Sequence, residues 1–149
     1  MSVPEGKRKE SKVQYMDTVF SLNKELMKYL MMDFGIKENT CPNWTIEFYR
    51  NWMLKALQDL MHHLTIGNTI FPAPPNYEYW FSLRREHQKE AQAACYEILQ
   101  ALKLCYDVLP INANKTTSLL ELINKEITDI KNWIKTTNKQ KSSLLKEEK

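Results

Sequence analysis

Prolines fall at three places in the body of this chain, and glycine is almost absent. Pro42, the cluster Pro72, Pro74 and Pro75, and Pro110 set the breaks, while 149 residues contain only three glycines. Proline lacks an amide hydrogen and clashes with the preceding turn, so no helix runs through these points. The shortage of glycine disfavours a turn-rich β fold and favours long helices. Four uninterrupted stretches remain, each long enough for several helical turns.

Each stretch carries apolar residues at steps of three and four, the spacing of one helix face. The first helix is predicted over residues 12–34, with Met16, Val19, Phe20, Leu26, Met27, Leu30 and Phe34 inward. Asn23 interrupts that face as a register-fixing amide, and Gly35 ends the helix. Asn43 or Thr45 is placed as the cap of the second helix, with Glu47 in its first turn. Ile46, Tyr49, Met53, Ala56, Leu57, Leu60 and Leu64 form its inner face. Trp44, Phe48 and Trp52 add an aromatic row at i, i+4 and i+8, either outer core or a candidate protein interface. Gly67, Asn68 and the prolines end this helix.

Asn76 is positioned to cap the third helix, read over residues 77–109. Its stripe is Trp80, Arg84, His87, Ala91, Ala94, Ile98, Leu102, Cys105 and Leu109, and the small alanines allow close helix approach. Arg84 and His87 occupy positions where apolar residues belong, the most informative departure in the body. The fourth helix is read over residues 117–137, with Thr117 or Ser118 as cap and Glu121 in the first turn. Leu119, Leu120, Ile123, Ile127, Ile130 and Ile134 face inward. The expected fold is all-α: an antiparallel up-down four-helix bundle over residues 12–138. A flexible basic arm (residues 1–11) and a disordered charged tail (residues 139–149) flank it.

Charge is unevenly spread along this frame. Residues 1–12 carry Lys7, Arg8, Lys9 and Lys12 against two glutamates, and residues 131–149 carry six lysines against Glu147 and Glu148. The whole chain is +3, so the intervening body is mildly acidic. Up-down threading brings both termini to one pole, together with the start of the third helix. Lys7, Arg8, Lys9, Arg84, Arg85, Lys89, Lys131, Lys135 and Lys139 then share a region suited to phosphate. Tyr77, Tyr79, Trp80 and Phe81 offer stacking surfaces for unpaired bases. The bland alternatives are a solvated tail and arginines paired with Glu78, Glu86 or Glu90.

Other functions lack their residues. Cys41, Cys95 and Cys105 are odd in number without CxxC spacing, so reduced thiols are expected. His62 and His63 diverge by about 100° on a helix and His87 lacks an HxxxH partner, so no metal site is expected. Nucleophile–base spacing and a glycine-rich phosphate loop are both missing, so neither catalysis nor a cofactor is expected. No apolar run follows Arg8 and none reaches the roughly 18 residues of a membrane span, so the expectation is a cytoplasmic protein.

The opening Met1-Ser2-Val3-Pro4-Glu5-Gly6-Lys7-Arg8, and the stretch from Leu83-Arg84-Arg85 to Gln88-Lys89-Glu90-Ala91, resemble the Avd-like four-helix proteins. These are accessory variability determinants of diversity-generating retroelements, grouped with four-helix proteins encoded in ribosomal-RNA intervening sequences. The resemblance spans the helical region. It implies a non-enzymatic subunit forming a basic, barrel-like homopentamer that binds nucleic acid and a reverse transcriptase during cDNA synthesis. Lys7, Arg8, Arg84, Arg85 and Lys89 carry over as candidate nucleic-acid contacts. The alternative reading is a protein-interaction bundle working through Trp44, Phe48 and Trp52, without nucleic acid.

Overall fold

The computed structural model describes residues 14–32, 41–111 and 113–147. Four helices account for nearly all of them: α1 (Gln14–Met31), α2 (Asn43–Thr69), α3 (Tyr77–Val108) and α4 (Ala113–Glu147). They form an all-α, up-down four-helix bundle in which α2 packs on α3, α3 on α4, and α4 on α1. Direct contact between α1 and α2 is slight. The basic arm, Phe34 and Gly35 lie outside the described residues.

Leu22 and Leu26 of α1, Met53, Leu60 and Leu64 of α2, Ile98 and Leu102 of α3, and Ile123 and Ile130 of α4 fill the centre. Burying each such side chain contributes about 1.5–3 kcal/mol, enough in sum to hold the helices without covalent staples. Ala91, Ala94 and Ala101 of α3 are buried among them, and their small size lets neighbouring backbones approach. Cys95 and Cys105 are buried free thiols, while Cys41 is half-buried before α2.

Several expectations are revised. Gly67 does not end α2 but lies inside it, buried, where a Cβ would come within 2.9 Å of the Trp133 ring. Glycine is there for close approach, not for a turn. Asn43 and Thr45 lie inside α2, whose cap position falls to Pro42, and Asn76, which precedes α3, makes no side-chain capping bond. Thr117 and Ser118 are not caps of α4. They lie within it and donate back to the Ala113 and Asn114 carbonyls. Residues 139–147 are not a disordered tail, because α4 continues through Glu147. Lys141 there pairs with Glu78 at 3.1 Å, and Leu144 and Leu145 are half-buried. On α1, Phe20 is exposed and Tyr15, Thr18 and Leu22 are buried, a rotation of the inner face.

Candidate nucleic-acid interface

One pole gathers the start of α1, the end of α2, the start of α3 and the end of α4, as the threading predicts. Tyr15 of α1 donates to Asn68 Oδ1 of α2 at 2.5 Å and stacks on Trp133 of α4, ring centroids 4.1 Å apart. Arg84 of α3 donates through Nη2 to the Ile70 carbonyl just past α2, and through Nη1 to Gln140 of α4 at 3.4 Å. Gln88 donates to Thr137 at 3.0 Å, and Thr18 donates to Asp129 at 2.6 Å. A cleft of about 390 Å³ opens here, lined in part by Asn68, Arg84, Asn132, Trp133 and Gln140.

This geometry separates the two arginines. Arg84 points inward and is half-buried, and burial lowers its pKa from the usual arginine range. Its guanidinium closes the C-terminal end of α2 and is held there by hydrogen bonds rather than standing free in solvent. Its neighbour Arg85 is exposed, as are Lys89, Lys131 and Lys135. Among the described residues none of these four makes an ion pair. Lys7, Arg8 and Lys9 lie outside the described residues.

The four exposed cations share a flank. On α3, His87 faces α2 through His63 and Gln88 faces α4 through Thr137. Arg85 and Lys89 lie roughly 60° and 100° beyond Gln88, on the side away from α2. On α4, Asp129 and Trp133 face α1. Lys131 and Lys135 each follow one of these by two residues, about 200° round the helix, and so point away from α1. Both pairs therefore border the outer groove between α3 and α4. The Gln88–Thr137 bond sets Lys89 nearly level with Lys135.

Two further residues extend the row. Tyr96 and Lys103 follow Lys89 at steps of seven, which return to the same helix face. Both are exposed. That seven-residue spacing was the available signal, and the sequence reading missed it by looking only at the first turns of α3. Of the nearby carboxylates, Glu78 is held by Lys141, while Glu86 remains exposed beside the row. The aromatics Tyr77 to Phe81 divide: Phe81 is buried, Tyr77 and Trp80 are half-buried, and Tyr79 is exposed.

The aromatic row of α2 also divides. Trp44 and Phe48 are 72% and 58% exposed, whereas Trp52 is half-buried against the core. Trp52 is therefore mainly core, and only the first two residues present a surface. No described helix is long and apolar enough to cross a membrane. No family model, curated protein or solved structure matches the chain.

Proposed function

We propose that this protein is a non-enzymatic accessory subunit that binds nucleic acid along the outer α3–α4 groove and assists a reverse transcriptase in cDNA synthesis. The observation that carries the nucleic-acid part is the flank itself. Arg85, Lys89, Lys131 and Lys135 are exposed, make no ion pair among the described residues, and are set on two adjacent helices. Each such cation releases counterions when it meets a phosphate, so weak contacts add to a salt-sensitive grip without base readout. Tyr96 in the same row offers one stacking surface. The polymerase partner, and assembly as a homo-oligomer such as a pentamer, rest on the resemblance of the arm and the Leu83 to Ala91 stretch.

The test is fluorescence anisotropy with a labelled single-stranded RNA and its DNA counterpart at several salt concentrations. Joint replacement Arg85→Glu and Lys131→Glu is expected to weaken binding at least about tenfold and to flatten the salt slope by about 1.4. Equal binding by this variant refutes the groove. A reverse transcriptase encoded beside this chain is expected to co-elute with it; failure to do so removes the polymerase from the reading.

A second reading has its own observation in the exposure of Trp44 and Phe48. Under it the bundle is a protein-interaction module that does not bind RNA, and Trp44→Ser with Phe48→Ser abolishes partner binding.

A further inference from the structure

Along the opposite edge of α3, where it meets α2, two imidazoles converge. His63 Nδ1 and His87 Nδ1 stand 3.0 Å apart, with ring planes tilted by 34°. Neither helix alone shows this pair, because the two residues are 24 positions apart in sequence. Gly67 helps to build it. The residue lies one turn beyond His63, and its Cβ position sits 3.5 Å from His87 Cβ, so the helices run close there.

Two imidazole nitrogens at this separation share either a proton or a metal ion. With metal–imidazole bonds of about 2.0–2.1 Å, an ion equidistant from both would subtend an angle of about 95°. That is near the cis angle of octahedral or tetragonal coordination, which nickel and copper favour, and a few tenths of an ångström short of a tetrahedral zinc bite. Carboxylates flank the pair at helical spacing: Asp59 four residues before His63 and Glu90 three residues after His87. Lys55 holds Asp59 at 3.5 Å, whereas among the described residues no ion pair holds Glu90. Among the described residues no group of three or more metal-binding side chains already converges. The remaining positions fall to water and to Glu90 after a change of side-chain torsions.

We propose that His63 and His87 form the nitrogen pair of a divalent transition-metal site bridging α2 and α3, with Glu90 as its carboxylate. Binding needs both Nδ1 lone pairs. The imidazole that donates in the metal-free pair moves its proton from Nδ1 to its own Nε2, so the neutral pair takes up the ion without net proton release. The ion then ties two helices at a point about 20 residues from the start of α2. This inference stands apart from the nucleic-acid reading, since it uses the other edge of α3.

The chain has three histidines, which makes the test compact. Full-length protein carrying Cys41→Ser, to remove the half-buried thiol, is titrated calorimetrically with nickel chloride and with zinc chloride. One saturable site per chain is expected. His87→Gln, which keeps a hydrogen-bonding group beside His63, and His63→Ala each weaken it at least about tenfold, while Glu90→Gln weakens it less. His62→Ala leaves the affinity unchanged. Circular dichroism without metal shows that each variant folds, and nickel raises the melting temperature of the parent but not of His87→Gln. Copper bound in place of nickel shows two nitrogen donors by electron paramagnetic resonance. Absence of a saturable event, or equal affinity in His87→Gln, overturns the proposal.

Discussion

At the end where Tyr15, Asn68, Arg84 and Gln140 meet, polar side chains close the bundle. At the other end, Met31, Met32, Trp44, Phe48 and Val108 leave apolar surface in water. The polar half also extends inward, through Thr18 with Asp129 and Gln88 with Thr137. Hydrogen bonds depend on direction as well as distance, so this half fixes how far each helix slides along its neighbour. Apolar contact is less exacting, and at the opposite end it leaves large side chains exposed. The two ends of one fold are therefore closed by different kinds of contact.

The largest expected effect tests how costly the polar half is. Glu126 is fully buried, and among the described residues neither carboxylate oxygen has a hydrogen-bond partner. Burial, reinforced by Asp129 and partly offset by Lys125, pushes its pKa up to about 9. The folded protein thus keeps a proton that the unfolded chain releases near its ordinary value of 4.5. Between these values stability falls as pH rises, by up to about 1.4 kcal/mol per pH unit. Glu126→Gln should match the parent near pH 4.5 and exceed it by on the order of 3 kcal/mol at pH 8, measured by urea unfolding. Parallel pH profiles for the two proteins would show that Glu126 does not titrate between the folded and unfolded states.

Asp129→Ala comes next and probes register directly. It leaves the buried Thr18 hydroxyl without its acceptor and should cost about 2 kcal/mol, with Asp129→Asn recovering part of the loss. Gly67→Ala sets a helix-propensity gain of about 1 kcal/mol against displacement of the Trp133 ring, which is pinned by Tyr15. A net loss of about 1 kcal/mol is expected, together with a change in Trp133 fluorescence. The smallest effect belongs to the apolar end. Trp44→Ser with Phe48→Ser should shift monomer stability by no more than about 0.5 kcal/mol, because the side chains already face water. A larger loss would mean that this end, too, is structural.

Much of the architecture was legible from periodicity. The inner face of α2 from Tyr49 to Leu64 and that of α3 from Ala91 to Leu109 stand where the three-and-four spacing puts them. Departures came where a residue's local preference lost to a tertiary partner. Gly67 reads as a stop but serves as a hollow for Trp133. Lys139 to Lys146 read as a solvated tail, yet they prolong α4 because lysine, glutamine and leucine favour helix and Lys141 finds Glu78. On α1 the polar Thr18 takes an inward place because Asp129 waits there, which displaces Phe20 to the surface. At the candidate site, helical spacing reveals that Arg85 and Lys89 share a face. It does not reveal that Arg84 turns in to the Ile70 carbonyl, or that His63 meets His87, since both facts belong to pairs of helices.

The sealed thiols have a practical consequence. Burial raises the pKa of Cys95 well above the ordinary thiol range and that of Cys105 to about 12, so neither offers a thiolate to a reagent at neutral pH. Cys41 alone among the three is partly accessible, and it stands at the foot of α2 beside Trp44. A maleimide dye would therefore label one known position, close to the water-exposed aromatics. Energy transfer between differently coloured copies would then report whether copies associate, without engineering a single cysteine.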